Sequence, residues 1–430
     1  MIEKSALTTD AAKILRPFRK TLVSLLRELV RANSVAIPPH GNEMAVQKVL
    51  QRFCRSNRLV AELYSTEFLT RSDHPYVRRD RDYRGRPNLI ARIGGSGRGR
   101  SLLLSGHADT VPPGRGQWAA SPWSGVVRDG RLYGRGSFDM KGGLAAQFVA
   151  AAALRRAGVK LGGDVLCESV VDEEWAGGGG TLAGRLRGDN ADAAVIAEGT
   201  GLAVVRATRG GHFFEVTATA GDPSAYFSKQ EVLSPATPMG RLLGWVDQWT
   251  LRRQAIRARG AYRDFADPAP VQVLALEANR FDPEVPWSTP QTARLRLYFQ
   301  FLPQEDVPAV LRRVRRSFDA FCAKDPFFRA YPPTWHNIVD PPLLGHELPA
   351  THPWTRTLAG AVAAVMGREA TVSAAPYPCD AFLLQREFGI PTLLFGPTGS
   401  GAHNVDECVE LESVAQTAQA MIAAAMAWCR

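Results

Sequence analysis

The sequence predicts an α/β protein in which helices flank a layered sheet and a second, α+β domain is inserted. Short apolar runs bounded by Gly-rich turns alternate with helical patterns in the first half of the chain, which is typical of such a sheet. The alternation changes after Arg206 and returns near the C terminus. With 430 residues, 45% of them hydrophobic, the chain is long enough for about two domains.

The first predicted domain is discontinuous and covers residues 1–204 and 326–430. Apolar residues at helical spacing predict helices, of which the second ends at Gly158, and short apolar runs predict strands. The predicted helices are 1–55, 142–158, 355–367 and 413–429, and the predicted strands are 88–93, 101–107, 164–171, 191–198 and 391–397.

The second predicted domain is the insertion, residues 205–325. Alternating apolar residues predict three strands, and two longer amphipathic stretches predict helices between and after them. The strands are predicted at 211–220, 271–278 and 293–302, and the helices at 240–258 and 306–323. This order indicates a compact α+β domain.

Composition excludes several classes of protein. No apolar run of twenty residues is present, so we expect no transmembrane helix and no membrane partner. The first twenty residues carry charges throughout and lack the apolar region of a secretory signal. Six scattered cysteines without a CxxC pair favour reduced thiols and a cytoplasmic enzyme.

The net charge of +10 raises the possibility of a nucleic-acid partner. The densest basic segment, "YVRRDRDYRGRP" at 76–87, contains interleaved aspartates, and no recognisable nucleic-acid-binding fold surrounds it. We therefore interpret this segment as a solvated loop and expect no nucleic-acid partner. A dispersed basic surface that attracts small anionic substrates explains the charge better.

Polar side chains follow the predicted strands of the first domain. The carboxyl ends of strands are where open α/β sheets form their sites. The residues in question are His107 and Asp109 in "SGHADTVPP", Asp139 in "GRGSFDMKGG", Glu173 and Glu174 after "LCESVV", Glu198 after "AAVIA", and His403 in "GSGAHNVDE". Five loops thus each deliver a His, Asp or Glu.

This residue set suits a catalytic metal site. Two histidines with several carboxylates and no thiolate favour Zn, Mn or Co at an open position rather than a closed structural site. A carboxylate can bridge two ions, which polarise the substrate oxygen and make hydroxide available near neutral pH. The Glu173–Glu174 pair offers one ligand and one base.

Six segments resemble the metallopeptidase and amidohydrolase family of acetylornithine deacetylase, succinyl-diaminopimelate desuccinylase, aminoacylase and glutamate carboxypeptidase. They are "SGHADTVPP", "GRGSFDMKGGLAA", "VVDEEWAGGGG", "VIAEGTG", "CDAFLLQREFGIPTLLFGP" and "GAHNVDECV". The resemblance implies a zinc-peptidase-like catalytic domain with a mixed central sheet flanked by helices. It also implies a ferredoxin-like inserted domain that serves as lid and dimerisation domain, and hence a homodimer or larger homo-oligomer.

The resemblance also implies roles for the polar residues and one or two divalent ions. The implied metal ligands are His107 and Glu198 for one ion, Glu174 and His403 for the other, and Asp139 as the bridge. Asp109 would orient His107, and Glu173 would be the general acid and base. The glutamate at position 198 resembles the deacylase and carboxypeptidase members of the family more than the other members.

The inserted domain departs from the family pattern. Ala225 or Tyr226 stands where the family has a lid histidine, Trp287 stands at its asparagine, and Gln300 stands at its carboxylate-binding arginine. A different alignment of a divergent lid would also explain these departures. Arg294 and Arg296 share the strand face of Gln300, but four residues along a strand span about 13 Å, too far for replacement. The candidate substrate-binding residues are Tyr226, Trp287, Gln300, Arg209 and Asp380.

Together these observations predict a metal-dependent hydrolase that cleaves a C–N bond of a small molecule with metal-activated water. The metal and base residues are complete, the residues that recognise an acyl amino acid are missing, and lid aromatics such as Tyr298 can stack on a planar ring. The specific prediction is therefore an aromatic aminohydrolase of the 5-nitroanthranilate type that releases ammonia. The alternative is an N-acyl-amino-acid deacylase or carboxypeptidase acting on an amide of a small acid. An inactive binding protein is disfavoured because it would have no use for the base.

Overall fold

The computed structural model describes residues 10–176, 178–219, 234–278 and 291–430, which form two compact units. The larger unit comprises Met1–Ala207, His346–Ala375 and Cys379–Arg430. The smaller unit comprises Thr208–Gly345 and Pro376–Pro378. The strand at 334–337 pairs with a strand of the smaller unit. The smaller unit therefore extends to Gly345, beyond residue 325, where the sequence places the end of the insertion.

The helices of both units are labelled in chain order. They are α1 Arg19–Arg31, α2 Met44–Ser56, α3 Gly142–Arg156, α4 Gly179–Leu186, α5 Ala236–Gln254, α6 Val307–Lys324, α7 Pro326–Ala330, α8 Pro353–Met366 and α9 Leu411–Trp428. Single helical turns of 3-10 or π type lie at Arg16–Phe18, Glu67–Arg71, Ser137–Lys141, Gly260–Tyr262 and Leu383–Glu387.

The strands are labelled in the same way. They are β1 Ala36–Ile37, β2 His40–Gly41, β3 Val60–Ser65, β4 Pro87–Ile93, β5 Leu102–His107, β6 Val126–Arg128, β7 Arg131–Tyr133, β8 Val165–Val170, β9 Ala194–Ile196, β10 Val204–Val205, β11 Ala207–Thr208, β12 Gly210–Thr219, β13 Val271–Ala278, β14 Thr292–Phe301, β15 Thr334–Asn337, β16 His346–Glu347, β17 Val372–Ser373, β18 Thr392–Leu394, β19 Gly399–Ser400 and β20 Cys408–Glu410.

A mixed sheet lies at the centre of the larger unit. Its strand order is β17-β10-β18-β9-β5-β8-β4-β3. Strands β18, β9, β5 and β8 run parallel. At one edge β4 pairs antiparallel with β8, and β3 pairs antiparallel with β4. All residues of β5 and β8 are buried, as expected for strands covered on both faces. The predicted mixed α/β sheet is confirmed.

Helix α3 is buried on almost every side. Its sequence "GGLAAQFVAAAALRR" is rich in alanine, so neighbouring elements approach closely around its whole circumference. It packs against α9, α1 and β5. The helix ends near Gly158, which has a φ of +65°, as the glycine stop in the sequence predicts.

The helix predicted over residues 1–55 is wrong in its central part. Helices α1 and α2 are separate, and the short antiparallel pair β1–β2 lies between them. Pro38 and Pro39 explain the interruption, because a proline has no backbone N–H to donate within a helix. Residues 1–9 lie outside the described part of the chain.

The smaller unit is a ferredoxin-like α+β domain. Strands and helices follow in the order β12, α5, β13, β14, α6, α7, β15, with α7 a short extra helix. The antiparallel sheet has the order β13-β14-β12-β15. Asp306 caps α6 by accepting a hydrogen bond from the Ala309 amide at 3.0 Å. Phe214 and Phe299 lie in the hydrophobic core, whereas Phe213 stacks on Tyr298 with ring centroids 4.1 Å apart.

The interpretation of residues 76–87 as a solvated loop is wrong for three of its arginines. Arg78, Arg81 and Arg86 are buried, and each pairs with a carboxylate. The interleaved Asp80, together with Asp172 and Glu43 from elsewhere in the chain, supplies the countercharges that allow this burial.

All six cysteines are free thiols. Within the described ranges, the helices include none that is long and apolar enough to cross a membrane.

Candidate active site

The seven polar residues predicted as a site all lie in the larger unit, close to strand ends. His107 is the last residue of β5, and Asp109 follows two residues later. Glu173 and Glu174 follow β8, and Glu198 follows β9. Because β5, β8 and β9 are parallel neighbours, their carboxyl ends meet at one edge of the sheet. The turn Ser137–Lys141 brings Asp139 there, and His403 lies between β19 and β20.

These side chains form two groups that share Asp139. In the first, His107 Nε2 lies 3.3 Å from Asp139 Oδ1 and 3.6 Å from Glu198 Oε1. In the second, His403 Nε2 lies 3.2 Å from Asp139 Oδ2 and 2.8 Å from Glu174 Oε2. The two oxygens of Asp139 thus face different histidines.

The geometry and the donor set fit divalent metal ions. Ligand atoms of His107, Asp139 and Glu174 all lie within 4.8 Å of one another. Two ligands about 2.0–2.1 Å from one ion in a tetrahedral arrangement are about 3.3 Å apart, which agrees with the histidine–carboxylate separations. Imidazole and carboxylate ligands without a thiolate suit catalytic Zn, Mn or Co.

Electrostatics supports the same assignment. Burial and the charge of Asp139 together raise the pKa of Glu174 to about 7 and that of Glu198 to about 8. Hydrogen bonds to Asp139 and Glu174 raise the pKa of His403 to about 11. Carboxyl groups outnumber imidazoles in this cluster, so the mutual repulsion of the carboxylates favours a divalent cation between them.

Asp109 contacts more than the histidine it is predicted to orient. The closest partner of His107 Nδ1 is the backbone oxygen of Asp109, at 3.0 Å, and the carboxylate oxygen lies 3.6 Å away. The carboxylate instead accepts hydrogen bonds from the amides of Glu173 at 3.3 Å and Glu174 at 3.1 Å. Asp109 therefore joins the β5 loop to the loop after β8.

Glu173 lies beside the two groups and close to another predicted residue, Asp380. Its Oε2 is 4.0 Å from His107 Nε2. Burial raises its pKa well above the ordinary value, and the charges of Asp380 and Glu198 raise it further although His107 opposes them. Asp380 itself is buried and accepts a hydrogen bond from the Thr181 hydroxyl.

Glu407 is a residue that the sequence reasoning missed. It is fully buried, and its Oε1 accepts hydrogen bonds from the amides of Phe138 and Asp139, both at 2.9 Å. Its Oε2 accepts from the Gly136 amide at 2.8 Å and from Arg135 at 2.6 Å. Glu407 thus holds the turn that carries Asp139. Its only sequence signal is its position four residues after His403.

The predicted lid residues fall into two groups. Tyr226 and Trp287 lie outside the described residues. Gln300 and Arg209 lie in the smaller unit, both nearly buried, and Arg209 Nη1 donates to Gln300 Oε1 at 2.9 Å. A guanidinium therefore stands next to the position where the sequence suggests that an arginine has been lost.

The fold of the larger unit and its shared histidine–carboxylate groups are those of a metal-dependent hydrolase. The family described as "Peptidase family M20/M25/M40" matches residues 103–427, which is most of the chain. The protein therefore belongs to this family of hydrolases that cleave amide and peptide bonds, and the resemblance seen in the sequence is confirmed.

Similar proteins differ in how much of the chain they match. Succinyl-diaminopimelate desuccinylase of Methylobacterium radiotolerans is 43% identical over 123 residues. This match covers less than a third of either protein, 27% of this chain and 31% of the desuccinylase. The N-formyl-4-amino-5-aminomethyl-2-methylpyrimidine deformylase of Halalkalibacterium halodurans is 25% identical, covering 96% of this chain and 95% of that protein. The solved structure of the dipeptidase Dug1p of Saccharomyces cerevisiae has a TM-score of 0.78 at 14% identity, covering 98% of both chains.

Proposed function

We propose that this enzyme is a deacylase that hydrolyses the amide of a small carboxylic acid. The observation that carries the proposal is the pair of histidine–carboxylate groups joined at Asp139, with Glu173 beside them. The desuccinylase and the deformylase both remove acyl groups by name, so they support this reading better than the aromatic aminohydrolase predicted first.

The metal ligands follow from the two groups. We propose that His107, Asp139 and Glu198 hold one divalent ion, and that His403, Asp139 and Glu174 hold a second. When bound, such ions polarise a substrate carbonyl and lower the pKa of water, which is the chemistry that amide hydrolysis needs. Zn, Mn and Co all suit this ligand set.

Glu173 is proposed as the general acid and base. Its Oε2 takes a proton from the attacking water and later gives a proton to the departing nitrogen, which breaks the C–N bond. Burial raises its pKa well above the ordinary value, which favours the protonated form that donates to the departing nitrogen. The Asp109 carboxylate keeps Glu173 in place by accepting a hydrogen bond from the Glu173 amide. The charge of Asp380 raises the pKa of Glu173 and so favours its protonated form.

The surroundings of Arg209 favour a substrate that carries a carboxylate group. Arg209 is 4% exposed, and burial lowers its pKa although the charge of Asp267 opposes this. Its Nε has no acceptor among the described residues, while Gln300 and the backbone oxygen of Asp267 accept from its other nitrogens. A buried guanidinium whose hydrogen-bond acceptors are neutral amide oxygens favours binding of an anion. We propose Arg209 and Gln300 as binding residues for the acid group, and Tyr226 and Trp287 as further substrate contacts.

The remaining expectations from the sequence stay predictions. They are a cytoplasmic location, no nucleic-acid or membrane partner, and a homodimer or larger homo-oligomer. Exposed apolar residues on β13 favour self-association, because this strand lies at the edge of the described sheet in the smaller unit.

A substrate panel tests the proposal. The purified enzyme is loaded in turn with Zn, Mn or Co and incubated with N-succinyl, N-acetyl and N-formyl amines, with dipeptides, and with 5-nitroanthranilate. Release of a free amine from an acylated substrate, measured by mass spectrometry, is the expected result. Ammonia from 5-nitroanthranilate without turnover of any acyl substrate would instead establish the aminohydrolase.

A further inference from the structure

The turn Asp172–Trp175 carries Glu173 and Glu174, and one buried guanidinium contacts it on both sides of that pair. Arg81 Nε donates to Asp172 Oδ1 at 3.2 Å, and Arg81 Nη2 donates to the Trp175 backbone oxygen at 2.9 Å. The Arg81 side chain is 3% exposed. Arg81 therefore contacts the residue before Glu173 and the residue after Glu174, and it is not a surface side chain.

The backbone of this turn needs such support. Asp172 has a φ of +68° and Ala176 a φ of +56°, in the left-handed region that costs a residue with a β-carbon free energy. Residues held there depend on the surrounding structure to keep them in place. A pair of charge-assisted hydrogen bonds from one rigid guanidinium fixes the start and the end of the turn together.

Neighbouring residues hold Arg81 and Asp172 in turn. Asp80 Oδ2 accepts from Arg81 Nη1 at 2.7 Å. Arg86 Nη2 donates to Asp172 Oδ1 at 3.3 Å, and Arg86 Nε donates to Glu43 Oε2 at 3.0 Å. The carboxylate of Asp172 therefore lies between two buried arginines.

We propose that Arg81 is a positioning residue that sets the orientation of Glu173 and Glu174, and that the basic segment 76–87 is present for this purpose. Asp109 holds the amides of the two glutamates from the β5 side, and Arg81 holds the flanks of the same turn. Movement of the turn displaces the Glu174 carboxylate from His403 and the Glu173 carboxylate from the reacting atoms.

The test is Arg81→Lys, because a lysine ammonium is a single point of charge and cannot serve both Asp172 and Trp175. The first readout is the affinity for Zn²⁺ without substrate, measured by competition with a chelating dye. The second is kcat and KM of the metal-loaded enzyme. Of the two Zn²⁺ ions, we expect the one bound more weakly to lose about tenfold in affinity. We expect kcat to fall about 10- to 100-fold and KM to stay within about threefold of the wild-type value.

Arg185→Lys is the matched control. Arg185 is equally buried in the same unit, and it donates to Glu168 at 2.8 Å and to the Asp189 backbone oxygen at 2.7 Å, without touching the turn. The Arg185→Lys substitution should lower the unfolding temperature but leave the Zn²⁺ affinity and kcat unchanged below that temperature. Asp80→Asn is a milder second variant should Arg81→Lys not fold, because Asp80 is half exposed. It should change both readouts in the same direction, by about threefold.

Wild-type Zn²⁺ affinity and kcat in Arg81→Lys, or in Asp80→Asn if Arg81→Lys does not fold, would overturn the proposal. Equal losses in Arg81→Lys and Arg185→Lys would also overturn it, because they would reveal a general effect of weakened packing. The Zn²⁺ titration contains no substrate, so its outcome does not depend on the proposed deacylase activity.

Discussion

At the scale of single residues, Glu173 and Glu174 are neighbours in sequence but have different surroundings. Glu174 Oε2 lies 2.8 Å from His403 Nε2, at hydrogen-bond distance. Glu173 Oε2 lies 4.0 Å from His107 Nε2 and next to the charge of Asp380. Their different positions therefore separate the proposed metal ligand, Glu174, from the proposed acid and base, Glu173.

Replacing Glu173 with glutamine should abolish proton transfer while keeping the size of the side chain. We expect Glu173→Gln to lower kcat for an acylated substrate by about 10²- to 10⁴-fold, with metal content unchanged. Metal content is measured by elemental analysis of the purified variant. Glu62→Gln, at an exposed carboxylate paired with Arg187, should leave both quantities unchanged. Activity above about one-tenth of wild type would remove Glu173 from the base role.

Metal affinity should depend on pH. Because burial raises the pKa of Glu174 to about 7 and that of Glu198 to about 8, both groups are largely protonated at pH 6 and ionised at pH 9. Only the ionised carboxylates bind a cation, so the affinity should rise from pH 6 to pH 9 and protons should be released on binding. Competition with a metal indicator at four pH values measures this. An affinity independent of pH would contradict the proposed ligands.

At the scale of elements, a glycine brings α3 against the end of β9. A β-carbon on Gly143 would overlap the backbone oxygen of Ala197, the residue before Glu198. Helix α3 thus begins close to the site because its first residues have no side chain. The spacing between this helix and the strand end is set by backbone contact rather than by a packed side chain.

Gly143→Ala should therefore destabilise the larger unit. Since the helix or the strand end must shift, we expect a loss of about 3 kcal/mol in the free energy of unfolding. Gly360 lies in α8 with open space around its Cα, so Gly360→Ala should be neutral or stabilise by up to about 1 kcal/mol. Urea unfolding of both variants measures the difference. Equal stability of the two variants would contradict the close approach.

Long elements were easier to predict than short ones. Strand β5, helix α3 and helix α9 follow the predicted ranges closely, because each is a mostly apolar segment that stands out from the polar and Gly-rich residues around it. The small sheet β19-β20-β7-β6 was not predicted. Its strands are two or three residues long, too short for a periodic pattern, although Asp129–Gly130 between β6 and β7 is a recognisable turn signal.

At the scale of the whole molecule, the smaller unit offers a surface for association. Strand β13 lies at the edge of the described sheet, and its Val273, Leu274 and Leu276 are 44%, 48% and 49% exposed. Contiguous exposed apolar residues on an edge strand favour pairing with another copy.

Placing a charge on this strand should disrupt a homodimer. We expect wild-type protein to have the mass of a dimer, and Leu274→Glu to have the mass of a monomer, because burying an unpaired carboxylate is costly. Light scattering after size-exclusion chromatography measures the mass. Leu251→Glu, at an exposed leucine on α5 of the same unit, is the control and should stay dimeric. A monomeric wild type, or a dimeric Leu274→Glu, would contradict this surface as the interface.

The sequence by itself determined the class of fold, the family and the types of residue available for chemistry. These follow from local patterns: apolar periods, and polar residues placed directly after strands. Only the tertiary structure decided which atoms meet. Arg81 and Asp172 are 91 positions apart, and Glu407 and Asp139 are 268 apart, yet each pair is hydrogen-bonded. Such contacts depend on how the sheet and its loops pack, and no local pattern records that packing.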